Sequence, residues 1–173
     1  MTLKKASNSA SHLDKLDLKQ VSWVDDEKYM RLALKLAQQA EKMGEVPIGA
    51  VVVDKNGKLI AKATNLREKH KTTLGHAELV AIHRACKKLG SWRLAGCTLY
   101  VSLEPCFMCA GALVQSRISR VVFAAHDPKG GALKSLAELG NDQRLNHKFQ
   151  VTSGVLAFEC SVLLKDFFKK KRK

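Results

Sequence analysis

Apolar and polar positions follow two rhythms along this chain. In DDEKYMRLALKLAQQAEKMGE the apolar residues Met30, Ala33, Leu34, Ala37 and Met43 recur at spacings that line one face of a helix. Asp25 or Asp26 is placed to cap its start and Gly44 to stop it. VPIGAVVVD and KLIAKAT are short apolar runs on either side of DKNG, which predicts two strands joined by a tight hairpin. NLREKHKTTLG reads as a polar loop, and HAELVAIHRACKKLG as a second helix closed by Gly90. CTLYVSL predicts a buried strand, and PCFMCAGALVQS a third helix with Pro105 at its favoured first position. SRVVFAA predicts another short strand and HDPKGG a turn. ALKSLAEL suits a helix, KFQVTSG a short strand, and VLAFECSVLLKDFFKKKRK a final helix that ends in bare charge. Strands alternating with helices around a hairpin define an α/β layered fold with a mixed sheet. Residues 1–24 are polar and non-periodic, an expected flexible extension ahead of one domain over residues 25–173.

Composition narrows the class. With hydrophobic residues at 46% and only three prolines in 173 residues, the chain has enough apolar material for a core and does not read as disordered. The longest apolar run, IGAVVV, falls far below the ~18 residues of a membrane span. The N-terminal stretch has no apolar signal-peptide core, so a soluble, cytoplasmic protein is expected. Five cysteines, an odd number, argue against a disulfide framework and for metal ligation or reduced core thiols. The formal net charge of +14 fits either a solvated basic surface or a polyanionic partner such as nucleic acid.

The candidate chemistry lies in LEPCFMCAGA. With a helix starting at Pro105, Cys106 and Cys109 are expected on one face of its first turn, where unpaired N–H groups and the helix dipole favour thiolate. A CxxC pair at a helix start is also the pattern of a redox site. HAELVAI supplies further donors: His76 at another helix start, and Glu78 two residues on. H-x-E followed by P-C-x-x-C is the signature of zinc deaminases. Structural zinc sites close with four protein ligands, whereas catalytic ones keep three and leave a place for water. His76, Cys106 and Cys109 make three, so Glu78 is cast as a nearby base. His83 is about 10 Å from His76 along the helix at ~1.5 Å per residue and cannot share the ion. Cys86 is farther still, and Cys97 and Cys160 are expected as buried thiols.

At these residues the chain resembles the bacterial tRNA-specific adenosine deaminases of the cytidine deaminase-like superfamily. The likeness runs from about Asp25 to Lys170 and rests on VPIGAVVV, on Asn65 ahead of HAE, on TLYVSLEPCFMCAGALVQSRISRVVFAAHDPKGGALKSL and on the basic end after DFF. The resemblance implies a three-layer α/β/α fold with a mixed five-stranded sheet. It further implies hydrolytic conversion of adenosine to inosine at the first anticodon position of a tRNA, such as an arginine tRNA with an ACG anticodon. The enzyme would be a homodimer with one zinc per chain, held by His76, Cys106 and Cys109, and with Glu78 as the catalytic proton shuttle. Asn65 would hydrogen-bond the target nucleotide, its alternative being a turn residue ending a strand. Asp127 would touch a neighbouring sugar, or else simply hold an Asp-Pro turn. Lys169 and Lys170 would contact phosphates of the anticodon stem-loop, with Phe167 and Phe168 either in the core or against a base. The family's loop before HAE carries Asp-Pro-Thr-Ala where this chain has Lys71-Thr72-Thr73-Leu74-Gly75, with the spacing unchanged. Two other functions remain compatible with the residues: deamination of a free base or nucleotide of the guanine or cytidine type, and an RNA-binding module with a structural zinc.

Overall fold

A computed structural model of the chain describes residues 23–172, so the expected extension, apart from its last two positions, lies outside the described residues. Helix α1 (Trp23–Lys42) leads into the hairpin of β1 (Gly49–Val53) and β2 (Leu59–Thr64). A single-turn helix α2 (Arg67–His70) and a 3₁₀ turn (Thr73–Gly75) precede α3 (Ala77–Leu89), β3 (Thr98–Leu103), α4 (Phe107–Gln115) and β4 (Arg120–Ala125). A long connection containing a 3₁₀ turn (Leu139–Asn141) then reaches β5 (Gln150–Ser153) and α5 (Ala157–Lys171).

The five strands form one mixed sheet in the order β2-β1-β3-β4-β5. Strand β1 runs antiparallel to both neighbours, while β3, β4 and β5 are mutually parallel. The central strands are buried on both faces, which is why they read as unbroken apolar runs. Their side chains nevertheless sort by parity. Ala50, Val52, Leu99, Val101, Val121 and Phe123 join the core under α3 and α4. Val51, Val53, Tyr100, Val122 and Ala124 join the core under α1 and α5. The result is the α/β/α sandwich that the resemblance implied. Helix α1 packs so closely on the sheet that a Cβ at Gly49 would lie 2.2 Å from the Ala33 carbonyl oxygen, so only glycine fits there.

Four expectations change. The helix start at Asp25 or Asp26 lies inside α1, which already begins at Trp23. Asp26 is buried and caps nothing; its carboxylate takes two hydrogen bonds from the Arg120 guanidinium, both 2.7 Å, and one from the Tyr100 hydroxyl at 2.8 Å. Helix α4 starts one residue after Cys106, leaving Pro105 outside it. The stretch expected as loop, NLREKHKTTLG, winds into α2 and the 3₁₀ turn. ALKSLAEL forms turns in place of a helix, with Leu139 N–H reaching back seven residues to the Ala132 carbonyl at 3.1 Å.

Asp26 ties the first turn of α1 to β3 and β4 through a planar, bidentate ion pair that is shielded from water. Removing one partner of such a pair leaves the other charge uncompensated. Asp26→Ala should therefore lower the unfolding free energy in urea by about 3 kcal/mol, whereas Glu27→Ala, which removes only an exposed pair with Arg31, should cost far less.

Candidate active site

Two helices begin on candidate ligands. His76 immediately precedes α3 in an extended conformation, and Cys106 precedes α4 in the same way. Each residue's carbonyl accepts the first helical bond, from Val80 N–H at 3.0 Å and Ala110 N–H at 2.8 Å respectively. The positive ends of α3 and α4 therefore meet at one point, where they favour negative charge. Cys109 reaches the same point from the first turn of α4.

The three donors are already gathered. His76 Nδ1 lies 3.7 Å from Cys106 Sγ and 3.5 Å from Cys109 Sγ, and all three ligand atoms lie within 4.8 Å of one another. Tetrahedral zinc, with bonds of about 2.3 Å to sulfur and 2.0 Å to nitrogen, separates those ligands by about 3.5 Å. The set thus fits zinc without rearrangement, and its soft sulfurs suit that metal. The Cys109 thiol and then His76, by hydrogen bonding, hold Cys106 down at about 3 against the opposing effect of burial. The bond to Cys106, and then burial, push Cys109 up, and the bond to Cys106 raises His76.

Glu78 stands in the first turn of α3 beside this triad, buried at 4% exposure. Its Oε2 has no hydrogen-bond partner, and burial pushes its carboxyl up. A carboxyl raised in this way is suited to taking up a proton and giving it back. Asn65 follows β2 and is equally buried. Its amide nitrogen donates to Glu45 at 3.3 Å, which leaves Oδ1 as an unpaired acceptor. Glu45 also accepts from the N–H groups of Glu68 and Lys69 at 3.1 and 2.8 Å, so one carboxylate fixes both α2 and the Asn65 amide. Leu66 N–H donates to the Gly75 carbonyl at 2.8 Å, fastening the chain beside Asn65 to the residue before His76. Among the described residues, the oxygens of Asn65 and Glu78 are the two buried side-chain polar atoms left without a partner. Each costs roughly 1–3 kcal/mol unless something completes it.

Glu104 was quoted in LEPC without a role, and the structure supplies one. Its carboxylate accepts from the N–H groups of Asp127, Leu133, Lys134 and Ser135 at 2.7–3.1 Å and from the Ser135 hydroxyl. Burial opposes its ionisation, yet these bonds hold it below its usual range. A Cβ at Gly131 would sit 2.3 Å from the Glu104 carboxyl carbon, so glycine alone lets the loop close over it. Ala132 N–H donates to the Pro105 carbonyl at 2.9 Å, and Cys106 bridges Gly131. Glu104 thus braces the loop that walls the cysteine turn. Glu45 and Glu104 share one legible signal, a lone carboxylate flanked by apolar residues and proline (EVP, LEP).

The remaining predicted residues lie elsewhere. Asp127 belongs to the braced loop, and its Oδ1 accepts from Lys129 N–H at 3.0 Å, closing the turn. With Lys129, Val46, Leu103, Phe168 and Arg172 it lines a groove of about 440 Å³. Lys169 and Lys170 occupy the last turn of α5, where Lys170 pairs with Glu41 of α1 at 3.0 Å. The aromatic pair separates: Phe167 is buried, while Phe168 is exposed along the groove.

A layered α/β/α domain that starts two helices on a His–Cys–Cys triad beside a buried carboxylate is the architecture of a nucleobase deaminase. The family of MafB19-like deaminases matches residues 24–172. A tRNA-specific adenosine deaminase of Bacillus subtilis (strain 168) is 55% identical over 148 residues, covering 86% of this chain and 91% of that protein. A solved structure from work on A-to-I editing by tRNA:A34 deaminases at the wobble position of transfer RNA superposes with a TM-score of 0.76. It is 42% identical and covers 79% of this chain and 99% of that one. A guanine deaminase of Bacillus subtilis is also similar, at 40% identity and a TM-score of 0.56, over 58% of this chain and 64% of that one. The chain belongs to the tRNA-specific adenosine deaminase family, and it is a deaminase.

Glu104→Gln removes a charge and one acceptor from the loop clasp. Hydrogen exchange at the amides of Asp127, Leu133, Lys134 and Ser135 should quicken at least tenfold, about the loss of one charge-assisted bond, while α1 amides keep their protection. Unchanged exchange in that loop would remove the bracing role.

Proposed function

We propose that this enzyme hydrolyses adenosine to inosine at the wobble position of a tRNA, with an arginine tRNA carrying an ACG anticodon as substrate and one zinc ion per chain. The observation that carries this is the pair of unpaired buried oxygens, Asn65 Oδ1 and Glu78 Oε2, flanking three donors spaced for zinc. His76, Cys106 and Cys109 would hold the ion, which when bound supplies the acidity that makes water a nucleophile near neutral pH. Glu78 takes one proton from the attacking water and delivers it to N1 of the ring, then takes the second proton of that oxygen and passes it to the nitrogen leaving C6. Water and adenosine are consumed, and inosine and ammonia are released. Asn65 accepts a hydrogen bond from the target nucleotide, held in place by Glu45.

The basic end of α5 supports a polyanionic substrate, with Lys169 and Lys170 beside phosphates of the anticodon stem-loop and Asp127 near a neighbouring sugar. The exposed ring of Phe168 offers a surface for an adjoining base. Leu74, Phe107 and Met108 flank the ligand positions and expose apolar surface. That exposed apolar surface supports a homodimer in which a second copy would cover it. No helix among the described residues is long and apolar enough to cross a membrane, and we place the reaction in the cytoplasm, with its substrate. The likeness to a guanine deaminase favours one other substrate, free guanine, which lacks the phosphates that the basic helix would meet.

The test is incubation of the purified protein with the arginine tRNA, with free adenosine and with guanine, followed by nucleoside analysis. Inosine should form in the tRNA alone; turnover of the free purines without the tRNA would reject the reading. Glu78→Gln should lose activity by about 10²- to 10⁴-fold while retaining its metal, because Glu78 is not among the donors. Full activity in that variant would remove the shuttle.

A further inference from the structure

Much of the positive charge lies away from the C-terminal tail. Residues 58–93 carry nine Lys or Arg against two carboxylates, half of the formal +14. One of the two carboxylates, Glu78, is buried in the active site, while all nine basic residues are exposed. Lys62, Lys69 and Arg84 meet Lys42, from the C-terminal end of α1, in one groove, and Arg84 and Lys88 bring the outer side of α3 against the free edge of β2.

Part of this charge serves the fold. Arg84 donates to the Lys62 carbonyl at 2.7 Å and Lys88 to the Leu59 carbonyl at 3.3 Å, so α3 covers the open edge of β2. Lys42, Lys62, Lys69 and Lys87 have no such duty. No carboxylate among the described residues lies within ion-pair distance of any of them. Lys42, Lys62, Thr64, Lys69, His70 and Arg84 line a groove of about 630 Å³. Thr64 adjoins Asn65, so the groove opens beside the target pocket. Beyond the far end of α3, Trp92 is 54% exposed, with the Arg93 guanidinium 4.2 Å from its ring centre. A planar cation stacked on an exposed indole is a surface suited to sugars, bases and phosphates.

The face therefore runs from His76 to Trp92, about 20 Å along α3 at ~1.5 Å per residue. A nucleoside occupies only its first few ångströms. We infer that this face is a second RNA-binding surface, which takes the sugar-phosphate backbone of the substrate tRNA outside its anticodon stem-loop. The inference rests on the proposed tRNA substrate. Charge complementarity selects the occupant: three unpaired lysines, Lys42, Lys62 and Lys69, in a groove lined by the residues on either side of Asn65 match a chain of phosphates.

The test substitutes Lys42→Gln, Lys62→Gln and Lys87→Gln together in the full chain, residues whose side chains make no hydrogen bond or ion pair among the described residues. Binding is measured against the full arginine tRNA and against its isolated anticodon stem-loop across a salt series. Affinity for the full tRNA should fall about tenfold and its log–log salt dependence should flatten by about two. Affinity for the stem-loop, and inosine formed in it, should stay as in the unsubstituted protein. Unchanged binding of the full tRNA, or equal losses on both RNAs, would overturn the inference. So would an unaltered tRNA affinity accompanied by lost binding to anionic lipid vesicles. Failure of the unsubstituted protein to form inosine in either RNA would count against the proposed reaction, while the binding comparison would still report on the face.

Discussion

Three donor atoms from two separate helix starts stand within 4.8 Å of one another, and no covalent link holds them there. That convergence is the constraint on which the rest of the molecule depends. Helix α3 reaches it from β2, at one edge of the sheet, and α4 reaches it directly from β3 at the centre. Both helices must therefore lie on the same face and start at the same end of the sheet. The shared core of Ala77, Ala81, Ala85, Ala110, Leu113 and Val114 holds them to that face. The alanines in α3 let it approach the strands closely, and the same approach draws Glu78 out of water. One packing choice thus gathers the ligands and raises the carboxyl beside them.

Two buried carboxylates finish the pocket by a common device. Glu45 lies in the connection between α1 and β1 and holds the Asn65 side chain together with two backbone N–H groups. Glu104 follows β3 and gathers four backbone N–H groups of the loop after β4. In each case a negative charge is removed from water and fully surrounded by donors, which rigidifies a segment that has no ladder of its own. Pockets built on loops usually sacrifice precision. Here the loops are clamped from within, while the acceptors facing the cavity, on Asn65 and Glu78, stay unpaired and available.

The elements with a strong period were legible from the chain. Strands β1 to β4 and helices α1, α3 and α5 lie where apolar spacing put them, and the ligand triad lies where HAE and PCxxC put it. What escaped the pattern depended on contacts distant in sequence. Asp26 looks like a cap until Arg120, 94 positions on, is known to meet it. ALKSLAEL has helical spacing, but the Glu104 carboxylate, about thirty residues back, gathers its first N–H groups into a turn, and Leu139 N–H bonds the Ala132 carbonyl seven residues away. Pro105 looks like a first helical residue, yet the helix begins only after Cys106, whose extended backbone turns its sulfur toward His76. Lone glutamates beside proline carried the hidden signal, and spacing rules assign them no partner. The +14 charge was visible as a total, but its concentration on the β2–α3 face emerged only once the fold brought those residues together.

The central claim is that one imidazole and two thiolates hold zinc and leave its fourth position to solvent beside Glu78. X-ray absorption at the zinc edge of the freshly purified protein tests this most directly. The account predicts one zinc per chain with two sulfur neighbours near ~2.3 Å and one histidine nitrogen near ~2.0 Å. A third sulfur, a second imidazole, or active protein without the metal would contradict it.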